Sequence, residues 1–118
     1  MDENKKRLLE ATGVDIEDAL SRFMNNEALM IRMLLRFAED KNFSRLRQAM
    51  EEKDVSGAFE AAHALKGLTG NLSLKELYRQ TGILTEDLRR GDLAAASEIM
   101  PEFENLFRRA AENLARLD

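Results

Sequence analysis

The chain contains one histidine, His63, in the run DVSGAFEAAHALKGLTGNLSL from Asp54 to Leu74. A neutral imidazole is a competent nucleophile near neutral pH, because its reference pKa is about 6.5. Lys66 follows three residues later, and its ammonium can offset the negative charge on a group, such as a phosphoryl, in transit to the ring. Gly67 and Gly70 follow four and seven residues after the histidine. Each glycine costs about 1 kcal/mol against Ala in a helix interior. That spacing puts both under the face that carries His63, one and two turns along. Their missing side chains would clear an approach to the ring. Phe59, one turn earlier, offers apolar area to a docked protein, unless the N-terminal segment covers it.

These residues need a helix that presents them outward. On a helical wheel Ala58, Ala61, Leu65, Leu68 and Leu72 form one narrow stripe, the expected core face. His63 points away from it, with Ser56, Phe59, Glu60, Lys66, Gly67 and Gly70 around it. Asp54 is a good N-cap for this helix, which is expected over Val55 to about Leu72. A helix over Glu3–Ala11 ends at Thr12-Gly13, and Asp15 caps a short one running to about Met24. Asn25-Asn26 precedes a segment from Glu27 to about Lys53. Within it Met30, Leu34 and Phe37 share one side, whereas Phe43, Leu46 and Met50 lie nearly opposite. A bend or break near Asp40-Lys41-Asn42 follows. Ser73-Leu74-Lys75-Glu76 fits a capping box for a helix that stops at Gly91. Asp92 caps a last helix from Leu93 to about Leu117, which Pro101 should kink or restart.

The fold expected is all-α, an up-and-down antiparallel four-helix bundle with short additional N-terminal helices, in a single domain over residues 1–118. Its 118 residues suffice for one core without staples. There is no Cys, so no disulfide and no thiolate metal site are available, and neither metal nor cofactor is expected. A charged N-terminus and the lack of a long apolar run point to a cytoplasmic protein without membrane contact. The net charge of −4 and the lack of a basic stripe argue against a nucleic-acid partner.

Ala62-His63-Ala64-Leu65-Lys66-Gly67, followed by Gly70-Asn71-Leu72, resembles the signature of histidine-containing phosphotransfer (HPt) domains, roughly A-H-x-L-K-G-x-x-x-N-[LI]-G. Asp54, the Gly91-Asp92 turn and the Phe37–Asp40 segment are similar to the family layout, so that about Thr12 to Leu117 is covered. The resemblance implies a phosphorelay intermediate of two-component signalling, a carrier and not an enzyme. His63 would be the phosphoacceptor, and Lys66 would steady the phosphoryl group. Ser56, Phe59, Glu60, Gly67, Gly70 and Thr85 would belong to the partner-docking face. The implied partners are response-regulator receiver domains, which bring the aspartate and Mg2+, with a hybrid sensor kinase as a further candidate. Three positions depart from the pattern or lack a role in it. Ser73 replaces the final Gly. Thr85 stands about where some members carry a longer Gln that reaches the ring. Gly82 has no evident role.

Three other readings compete. A binding module of the same fold would have no reason to keep Gly67. A cofactor-binding bundle would need His63 in its interior, beside one of six Met residues. A DNA-binding helical domain conflicts with the acidic balance.

Overall fold

A computed structural model describes residues 1–117. They form seven helices: α1 (Glu3–Thr12), α2 (Ile16–Arg22), α3 (Glu27–Ala38), α4 (Asn42–Glu51), α5 (Val55–Asn71), α6 (Lys75–Arg89) and α7 (Leu93–Ala115). Most begin where a short polar side chain can accept from an otherwise unpaired N–H. Asp2, Asp15, Asn26, Asp54 and Asp92 each do so for the residue three positions on. Each such cap contributes about 1 kcal/mol. α1 ends on Gly13, which takes a left-handed φ of 91°.

The long segment after Asn26 breaks at Glu39–Lys41, where the Asp40 carboxylate accepts from the Asn42 N–H at 2.8 Å. The break lets both of its apolar faces reach α7. Phe37 of α3 lies 5.3 Å from the Phe107 ring, and Phe43 of α4 stacks on the same ring at 4.2 Å. α3 and α4 together thus form one leg of a four-legged bundle. α4 packs on α5, α5 on α6, α6 on α7, and α7 back on α3. α1 lies against α7, and α2 bridges α1 and α3. Leu9, Met30, Leu34, Leu46, Leu65, Leu84, Phe103 and Leu114 are fully buried between them. Burial of each such side chain is worth about 1.5–3 kcal/mol.

The three-residue connection Leu72–Leu74 turns α6 back along α5, and the contacts between the two helices run in reverse order. Phe59 meets Arg89, Lys66 meets position 82, and Gly70 meets Tyr78. Across α5 the buried face is wider than the wheel stripe. Ala62 and Thr69 are fully buried beside Ala58, Ala61 and Leu65, whereas Leu68 is only half-buried.

Two local expectations are corrected. The capping box at Ser73 does not form: Leu74 is the N-cap of α6, with no side-chain bond. Ser73 instead adopts a left-handed φ of 55° and donates its hydroxyl to the Asp18 carboxylate of α2. The contact is tertiary, and it fastens α2 to the α5–α6 turn together with a 2.9 Å bond from the Asp15 N–H to the Ser73 carbonyl. Nor does Pro101 restart the last helix. α7 runs unbroken through it. The carbonyl deprived of its donor is that of Ser97, an exposed residue, while Met100 and Phe103 anchor the same turn in the core.

Candidate functional site

Helix α5 presents His63 to solvent. Among the described residues neither ring nitrogen has a protein hydrogen-bonding partner. The ring stacks on Phe59, one turn earlier, with centroids 5.7 Å apart and planes 10° from parallel. The guanidinium carbon of Arg89, in the last turn of α6, sits 4.9 Å from the Phe59 centroid. Its Nε bonds the Glu86 carboxylate at 3.1 Å. Phe59 is half-buried, and the Arg89 side chain of α6 lies over its ring.

On the other side of His63 a groove of about 440 Å³ runs toward the α5–α6 turn. Arg22, Lys66, Lys75, Asn71 and Tyr78 line it. Arg22 and Lys75 share a single carboxylate, Asp18, at 2.9 and 3.6 Å. Lys66 makes no ion pair among the described residues. Three cations against one carboxylate leave the groove beside His63 positive, a sign that attracts anions. The Ser73 hydroxyl, followed by Arg22, holds the Asp18 carboxyl down at about 2. That carboxylate therefore stays charged and keeps Arg22 and Lys75 aimed at the groove.

The glycines separate into different roles. A Cβ at Gly67 would meet nothing within 4 Å, so the backbone there is open to a partner. A Cβ at Gly70 would lie 3.0 Å from Cε1 of Tyr78. Gly70 thus lets the Tyr78 ring pack close on the helix, at the wall of the groove and not as a clearing beside the ring of His63. A Cβ at Gly82 would sit 3.9 Å from Cε of Lys66. The lysine stem passes α6 at this glycine, and an added methyl there would make ordinary van der Waals contact with it.

Ser56 and Glu60 are exposed on the same face, as a docking role requires. Thr85 is not. It lies fully buried and donates to the Thr81 carbonyl at 2.7 Å. The antiparallel register brings Thr85 level with His63, but the hydroxyl is spent on its own helix and turned into the core.

Sequence reasoning missed Arg89, Tyr78, Arg22 and Lys75. The first two had a usable signal. A three-residue turn centred near residue 74 pairs positions equally distant from it, so that 59 faces 89 and 70 faces 78. Arg22 arrives on a separate helix, and no local pattern foretells it.

The Hpt domain family model matches residues 29–115, more than half of the chain, and the chain belongs to that family. The match begins within α3 and ends with α7, leaving α1 and α2, and with them Arg22 and Asp18, outside it. Membership implies histidine phosphotransfer in a phosphorelay. Comparisons with curated proteins and with solved structures returned no match. No helix among the described residues is long and apolar enough to cross a membrane.

Proposed function

We propose that this domain is a phosphorelay intermediate that accepts a phosphoryl group on His63 from a receiver-domain phosphoaspartate and passes it to the aspartate of another receiver. The observation that carries the reading is an imidazole clear of the bundle, at the edge of a groove of excess positive charge whose wall includes the open backbone at Gly67. In the transfer, the lone pair of a neutral ring nitrogen attacks phosphorus. The N–P bond forms as the P–O bond to the aspartate breaks, and that electron pair leaves with the carboxylate. The ring proton on the other nitrogen is released to solvent. The reverse sequence loads the next receiver.

Lys66 lies in the groove and offsets the charge of the phosphoryl group as it crosses. The receiver supplies the acceptor carboxylate and the magnesium ion. Ser56, Phe59, Glu60 and Gly67 form the docking face. The domain acts as a carrier in this reading, with His63 as nucleophile and Lys66 as the cation beside it. The exposed position of His63 disfavours the interior cofactor reading, which needs that ring inside the bundle.

The test is incubation with a phosphorylated receiver, followed by measurement of acid-labile phosphate on this chain. Label is expected on the wild type and absent from His63→Gln. Label retained in His63→Gln overturns the assignment. A receiver that binds both forms equally and labels neither favours the binding-module reading.

A further inference from the structure

We infer that Arg89 is a positioning residue that acts through Phe59 to set the plane of the His63 ring; the inference rests on the phosphoacceptor reading above. The ring is exposed and has no protein hydrogen bond among the described residues, so its two side-chain torsions are restrained by stacking on Phe59. Phe59 is in turn covered by the Arg89 guanidinium at 4.9 Å, and Arg89 is tied to Glu86 at 3.1 Å. The series Glu86, Arg89, Phe59, His63 runs from the last turns of α6 to the middle of α5 through contacts that side chains alone make.

The restraint bears on chemistry because the nucleophilic lone pair of an imidazole lies in the ring plane. Whatever fixes that plane fixes the line along which phosphorus must approach. In this chain the side chain level with His63 on α6, Thr85, is buried and bonded to Thr81, so it gives the ring no support. Stacking takes that place. The restraint has two parts, the aromatic stack and the cation over the Phe59 ring. Loss of either should slow transfer by about two- to tenfold.

The experiment compares wild type with Arg89→Ala, Arg89→Lys and Phe59→Leu. Phosphoramidate, a small phosphodonor that needs no docked partner, is used to label each protein. The His63 ring resonances and their Overhauser contacts to residue 59 are recorded on the unphosphorylated proteins, and thermal unfolding is followed in parallel. Arg89→Ala and Phe59→Leu are expected to lose the ordered ring signature and to label about two- to tenfold more slowly. Arg89→Lys, which retains a cation, should recover part of both. With a phosphorylated receiver, Arg89→Ala should lower the maximal transfer rate more than it raises the half-saturating receiver concentration.

Unchanged ring signals and labelling in Arg89→Ala, with or without lower stability, would reduce the contact to helix packing and overturn the inference. So would a disordered ring that labels at the wild-type rate. Wild type that takes no label on His63 refutes the phosphoacceptor reading instead, while the ring signals still decide whether Arg89 orders the imidazole.

Discussion

Gly67 offers a substitution whose effects on stability and on function should run in opposite directions. It is exposed, it lies within α5, and a Cβ placed there meets nothing within 4 Å. Gly67→Ala therefore adds no clash and removes the backbone entropy that glycine forfeits in a helix, a gain of about 1 kcal/mol. For a domain of this size that raises the melting temperature by roughly 3–6 °C. Gly67→Leu should keep most of the gain, because leucine is nearly as good a helix former. Its side chain, however, would project from the open backbone beside His63, where a docked receiver would lie. Thermal and urea melts read the stability. Labelling by phosphoramidate reads the accessibility of the ring to a small donor, and labelling by a phosphorylated receiver reads docking. The expected pattern is a higher melting temperature for both variants, small-donor labelling preserved, and receiver-dependent transfer reduced slightly by Ala and severely by Leu. A Gly67→Leu protein that exchanges phosphate with its receiver at the wild-type rate would refute the idea that open backbone is kept for a partner. A lower melting temperature for Gly67→Ala would refute the local geometry.

Other consequences can be checked independently. Gly82→Leu should push the Lys66 stem away, since a Cβ there already makes van der Waals contact with it at 3.9 Å and the leucine extends beyond that atom. Transfer from both small donor and receiver should fall in this variant, and the same rates as wild type would separate Lys66 from the chemistry. Ser73→Ala should release the Asp18 carboxyl from about 2 toward its ordinary 3.8, as followed by a carboxyl-carbon titration. Because the folded value lies below the unfolded one, the Asp18 contribution is complete above about pH 4 and is lost as pH falls through about 2. The variant should therefore lose less stability between about pH 4 and pH 2 than wild type does; equal acid sensitivity would contradict the assigned bond. Phe107→Ala removes the ring shared by α3 and α4 and should cost about 3–5 kcal/mol in a urea melt, with a smaller loss arguing that the two helices repack.

Much of the frame can be read from the chain because it is set by local rules. Asp15, Asn26, Asp54 and Asp92 are short polar residues ahead of apolar periodicity, and each is an N-cap. The break near Asp40 follows from two apolar stripes that no straight helix can bury together. The exposure of His63 and the open backbone at Gly67 follow from the same wheel. What escaped is tertiary. Ser73 carries every mark of a capping residue, yet its hydroxyl is taken by Asp18, which lies 55 positions earlier in the chain. Its left-handed backbone, a conformation that glycine adopts without strain, gives a physical reason for the Gly in the family pattern at this place. Gly70 and Gly67 look equivalent on a wheel and differ only because Tyr78 comes across from α6. Thr85 has the right level and the wrong direction. The stack of Arg89 on Phe59 depends on the register between two helices, which the length of their turn encodes but a single-helix pattern does not.

The most direct measurement of the central claim is the site of the phosphate itself. The intact protein is treated with a phosphorylated receiver, digested under neutral or alkaline conditions that preserve a P–N bond, and the modified residue located by fragmentation mass spectrometry. The account predicts one phosphoryl group, on His63, which leaves the peptide on brief acid treatment. Phosphate found on a serine, threonine or aspartate of this chain, or an unmodified His63 peptide while the receiver is discharged, would contradict it.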